Sequence, residues 1–89
     1  MRNEIIRVLL VDDELDALDL MEELLRNIAG IQVVGKASNR FDALSLMLTQ
    51  RPDVIFQDIQ MLGENGLDLV DEYRKHAFFG KIVFVTAHV

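Results

Sequence analysis

Residues 5–14 read IIRVLLVDDE, and this stretch decides the fold. From Ile5 to Val11 nearly every position is apolar, with Arg7 the exception. A run of β-branched and leucine residues without alternation suits a strand covered on both faces, as in a parallel sheet. The run stops abruptly on Asp12, Asp13 and Glu14. In open parallel sheets ligands bind beyond the carboxyl ends of the strands, so these acids stand where chemistry is expected.

Working outward, Leu15 to Ile28 sets Leu18, Met21, Leu24, Leu25 and Ile28 at three- and four-residue spacing, with Asp16, Asp19, Glu22, Glu23 and Arg26 between them. That pattern predicts an amphipathic helix with the apolar stripe inward. Acidic residues crowd its first turn, where the helix dipole favours them, and Gly30 is expected to end it. The plan then repeats. Ile31 to Gly35 predicts a short strand, and Asn39 is expected to cap a helix carrying Phe41, Leu44, Met47 and Leu48 on one side. Pro52 lacks an amide hydrogen and restricts its predecessor, so it stops that helix. Asp53 to Asp58 predicts a third strand. A loop with Gly63 and Gly66 follows, then a helix from about Leu67 to His76 bearing Val70 and Tyr73. Gly80 breaks it, and KIVFVTA at 81–87 predicts a fourth strand. Strict strand–helix alternation implies an α/β domain with a parallel sheet and right-handed crossovers.

Composition narrows the function. The 89 residues suit one domain, near the lower end of what folds alone. A net charge of −6 repels nucleic acid and anionic membrane surfaces, and suits a protein partner or a divalent cation. With no cysteine there is no disulfide, thiolate zinc site or thiol nucleophile. The run from Ile5 ends on acids without a small-residue cleavage site, so no signal peptide is read there and a cytoplasmic location is expected. No stretch approaches the ~20 apolar residues that span a bilayer.

Three strand ends carry chemistry-bearing residues: Asp12 and Asp13 after the first, Asp58 at the third, Thr86 at the fourth. Neighbouring strands lie roughly 5 Å apart, which brings Asp12, Asp13 and Asp58 within reach of one another. Each alone has a plainer reading, as a solvated helix start, a turn residue or a strand threonine. Together they point to a site. Three close carboxylates repel unless a cation compensates, and magnesium commonly takes one or two carboxylates alongside phosphate. With phosphoryl oxygens so screened, Asp58 can serve as a nucleophile, and Thr86 can hydrogen-bond the group it accepts.

The motifs VLLVDDE at 8–14, DVIFQDIQM at 53–61, NGLDL at 65–69 and VFVTAH at 83–88 resemble the receiver domains of bacterial two-component response regulators. The resemblance runs from Ile5 to the C-terminus. It implies a flavodoxin-like, doubly wound sheet; a chemotaxis regulator of that family shows strand order 2-1-3-4-5. Here the order 2-1-3-4 is expected for the strands read above. The resemblance makes Asp58 the phosphoacceptor and Asp12 with Asp13 the magnesium-holding pair, Asp13 the more direct ligand. The Gln60 main-chain carbonyl matches the usual backbone ligand, Thr86 the switch hydroxyl, and Ala87 the small residue that leaves it room. A histidine kinase or a small phosphodonor is the implied partner. VFVTAH and DIQM also resemble receivers joined to LytTR-type DNA-binding outputs.

Two departures stand out. The family usually has proline where Leu62 stands, and proline would stiffen that loop. The second is larger: past Val89 the family continues with a helix, a fifth strand and a last helix, which carry a lysine that contacts the phosphoryl group. On that comparison residues 1–89 are a receiver incomplete at its C-terminus. Ile82 to Val85 is then expected to present an apolar edge, to be covered by a second copy or by further chain. Two functions stay open: a phosphoacceptor switch, or a receiver-like interaction and dimerisation module that phosphate does not regulate. A nucleotide-binding enzyme is disfavoured, because the turn DDELDALD has no glycine-rich phosphate cradle. A HAD-type phosphatase would want an Asp two residues after its nucleophile, where Gln60 follows Asp58.

Overall fold

The computed structural model describes residues 4–61 and 64–85. Four strands, β1 (Ile6–Val11), β2 (Ile31–Ala37), β3 (Val54–Asp58) and β6 (Lys81–Val85), form one parallel sheet in the order β2-β1-β3-β6. With β6 as the fourth principal strand, this is the expected 2-1-3-4 arrangement. Three helices connect them: α1 (Leu15–Arg26), α2 (Arg40–Gln50) and α3 (Gly66–Lys75). Between β3 and α3 a minimal antiparallel pair, β4 (Gln60–Met61) with β5 (Glu64–Asn65), stands where the sequence predicts only a loop.

The uniform apolarity of β1 is explained by helices on both faces of the sheet. Val8 and Leu10 face α1, packing with Leu18 and the half-buried Met21, Leu25, Val54 and Phe56. Leu9 and Val11 face the other way, into a larger core with Ala43 and Met47 of α2, Leu69 and Tyr73 of α3, and Ile55, Met61 and Phe78. Each leucine fully buried in this way contributes about 1.5–3 kcal/mol.

Local chemistry sets the element ends. The Asn39 side chain accepts a hydrogen bond from the Asp42 N–H at 2.8 Å, the expected cap of α2. Arg51 turns left-handed (φ 47°) just before Pro52, and its N–H still reaches the Met47 carbonyl. Gly30 does not end α1, which stops at Arg26; it supplies the left-handed turn (φ 87°) into β2. Gly80 likewise lies beyond the end of α3. A Cβ there would stand 2.5 Å from the Asp53 carbonyl oxygen, so the close approach of β6 to β3 requires glycine.

Two helix faces differ from the pattern read in the sequence. In α2 the buried residues are Ala43 and Met47, whereas Phe41 is 80% exposed and Leu48 is exposed as well. Six apolar residues surround this helix on several sides, so spacing alone does not choose the inward one. In α1 Leu24 is 60% exposed and Ile28 lies past the helix end, leaving Leu18, Met21 and Leu25 to meet the sheet.

Candidate metal centre

The site grows out of strand register. Val11 pairs with Gln57 as the last partners of β1 and β3, so Asp12 and Asp58 follow one step on, side by side. Alternation puts both on the α1 side, Asp12 in phase with Val8 and Leu10, Asp58 with Val54 and Phe56. The Asp12 N–H donates to the Ala37 carbonyl at 3.0 Å, which carries the sheet ladder up to the site. Its side chain accepts from the Glu14 N–H at 2.9 Å and fixes the turn into α1. Asp58 similarly accepts from the Gln60 N–H at 3.2 Å, and the Ile59 N–H reaches the Val85 carbonyl at 3.3 Å.

These turns bring one carboxylate oxygen each from Asp12, Asp13 and Asp58 within 4.8 Å of one another. Asp12 and Asp58 are both only 3% exposed. Burial pushes the Asp12 carboxyl above its ordinary value; the Glu14 N–H pulls it back, and the neighbouring Asp13 and Glu14 push it further up. Two unit charges about 5 Å apart repel by roughly 3 kcal/mol at an effective dielectric of about 20. Hard oxygen donors, close together and with Asp12 and Asp58 buried, fit a divalent cation such as magnesium.

Of the residues singled out in the sequence, the structure joins Asp12, Asp13 and Asp58, and places Gln60 two residues on with its N–H bound to Asp58. Thr86 and Ala87, like Leu62 and Gly63, lie outside the described residues. One buried polar feature was not anticipated. The Tyr73 hydroxyl donates to the Gln57 side-chain oxygen at 2.7 Å, both residues being fully buried. The signal was present: Gln57 interrupts the apolar run of DVIFQD in phase with the buried Ile55.

A parallel, doubly wound sheet with an acidic pocket at its carboxyl end defines a flavodoxin-like α/β domain. Residues 8–89 match the response regulator receiver domain family, and the chain belongs to it. It is 37% identical over 83 residues to the sensory transduction protein LytT of Bacillus subtilis, covering 93% of this chain and 34% of that protein. It is 39% identical over 82 residues to LytR of Staphylococcus saprophyticus, covering 92% and 32%. The chain thus spans about a third of the length of these relatives, and the LytTR-type resemblance fits them. Among solved structures, the response regulator domain of Thermotoga maritima CheB superposes with a TM-score of 0.86 at 28% identity, covering 94% of this chain and 62% of that one. A LuxR-family response regulator from Aurantimonas shares the fold, with a TM-score of 0.88 at 24% identity over 97% of this chain and 61% of that one. No helix among the described residues is long and apolar enough to cross a membrane.

Proposed function

We propose that the domain is the phosphoacceptor switch of a two-component phosphorelay, taking a phosphoryl group on Asp58. The observation that carries this reading is the meeting of Asp12, Asp13 and Asp58 at adjacent strand ends. An oxygen of Asp58 attacks phosphorus while the phosphorus–nitrogen bond of a phosphohistidine, or the bond to a small donor's leaving group, breaks and returns its electron pair to the donor. Asp12, Asp13, Asp58 and the Gln60 carbonyl would hold magnesium, which when bound screens the phosphoryl oxygens. Thr86 is the switch hydroxyl in this reading, and residues 1–89 belong to one receiver domain.

The domain is regulatory: at most it catalyses its own phosphorylation and dephosphorylation, and it acts by altering protein–protein contacts or an output domain. Its partners are a histidine kinase or a small phosphodonor in the cytoplasm, not nucleic acid or membrane, in keeping with the charge of −6. A second copy of the chain is a further partner. Among the described residues β6 pairs with β3 alone, and its Val83 and Phe84 are 36% and 42% exposed, the edge at which strands associate. Light scattering of the 89-residue chain tests this: a strictly monomeric solution removes it.

Beryllofluoride with magnesium, a stand-in for the phosphoryl group, tests the switch. Wild type is expected to gain thermal stability and change its spectrum, and Asp58→Asn to do neither. Equal responses in both would leave an interaction module that phosphate does not regulate.

A further inference from the structure

Gln57 and Tyr73 form a polar bridge inside an otherwise apolar core. Gln57 lies on the α2/α3 side of β3, opposite in phase to Asp58, and Tyr73 reaches it from α3. The Gln57 amide nitrogen donates to the main-chain carbonyl of Asp58 at 2.9 Å and approaches the Met61 sulfur at 3.3 Å. Its oxygen accepts from Tyr73 at 2.7 Å. Only this orientation works: a flipped amide would set its oxygen against the Asp58 carbonyl oxygen, two acceptors with no proton between them. The Asp58 carbonyl, an acceptor only, therefore fixes which way the amide faces, and the tyrosine hydroxyl, donating to the amide oxygen, anchors the amide on that carbonyl.

We infer that Gln57 and Tyr73 are positioning residues for the acidic site, setting its metal affinity by locking the main chain from Asp58 to Met61. The inference rests on the proposed reading of Asp12, Asp13 and Asp58 as a magnesium site. Rotation of the peptide after Asp58 would swing the Ile59 N–H off the Val85 carbonyl. By turning the chain that follows, it would also shift the Gln60 N–H, which holds the Asp58 carboxylate at 3.2 Å, and the segment bearing the Gln60 carbonyl. Three ties oppose that rotation: Gln57 on the Asp58 carbonyl, Val85 on the Ile59 N–H, and Asp58 on the Gln60 N–H. Only the first is made by side chains from the core.

Stability does not account for the Gln57–Tyr73 bond itself. Replacing both members of a buried hydrogen bond by apolar groups of similar shape is nearly neutral, while removing one strands its partner. What the polar pair adds is direction, in the way that groups behind metal ligands orient them.

The experiment compares wild type with the Gln57→Leu/Tyr73→Phe double variant, reading magnesium affinity by calorimetry and metal-free melting temperature. The expected result is a modest drop in melting temperature, because the Asp58 carbonyl loses its Gln57 donor, with magnesium binding weakened about 10-fold or more, the usual effect of losing such orienting groups. A double variant that binds magnesium like wild type overturns the inference and leaves the site reading intact. Wild type that binds no magnesium overturns the site reading, and this inference with it. Should the double variant not fold, Tyr73→Phe alone removes one oxygen and keeps the ring. Weaker magnesium binding supports the positioning role, and wild-type affinity overturns it.

Discussion

Asp12 and Asp58 sit on adjacent strands one step past the paired Val11 and Gln57, each 3% exposed. Strand register thereby places two carboxylates, with Asp13 beside them, where their charges oppose one another unless a cation intervenes.

Magnesium should therefore stabilise the folded domain. At about ten times its dissociation constant a ligand bound only by the folded state adds about 1.4 kcal/mol. For a domain of this size that corresponds to roughly 5–10 °C in melting temperature. Asp13→Asn should abolish most of the gain. A magnesium response retained in full by Asp13→Asn would remove Asp13 from the ligand set.

The gain should depend on pH with a definite sign. The Asp12 carboxyl titrates above its ordinary value of 3.8 because it is buried beside other acids. A group raised in the folded state contributes stability that is complete below the unfolded value and lost as pH rises through the folded one. Metal-free protein should thus lose this contribution on moving up from the ordinary carboxylate range, and Asp12→Asn should flatten the loss. Magnesium competes with the proton, so its stabilising effect should be larger at pH 7 than at pH 4.5. Melting curves across that interval decide it; a magnesium effect that grows on acidification would contradict the assignment.

The orientation of α2 is open to a simple comparison. Met47→Ala empties a fully buried position and should cost about 2–5 kcal/mol. Phe41→Ala, at a residue 80% exposed, should stay within about 0.5 kcal/mol. Urea unfolding of the two variants would show the reverse order if the helix presented its Phe41 side inward.

Gly80→Ala should destabilise by about 1–3 kcal/mol, since its Cβ would meet the rigid Asp53 carbonyl at 2.5 Å. Gly35→Ala meets only the tips of Leu46 and Leu9, at 3.1–3.3 Å, and should cost less. Equal losses at the two positions would argue against the tight β3–β6 approach.

Element order was legible because each element carries its own local signal. The apolar run of β1, the Asn39 cap and the Pro52 stop each act within a few residues. The acids at the strand ends could be read as a site because a parallel sheet gathers such ends at one edge. The small β4–β5 pair was not legible, being held by two pairs of residues and no apolar periodicity.

The sequence by itself determined the parallel α/β class, the order of its elements and the acids that reach the carboxyl edge. Tertiary structure alone decided which face of α2 turns inward, and that Gln57 on β3 meets Tyr73 on α3 behind Asp58. The physical reason is range. Periodicity and capping are properties of neighbours along the chain, whereas a helix's rotation and a buried hydrogen bond across sixteen residues depend on what packs opposite them.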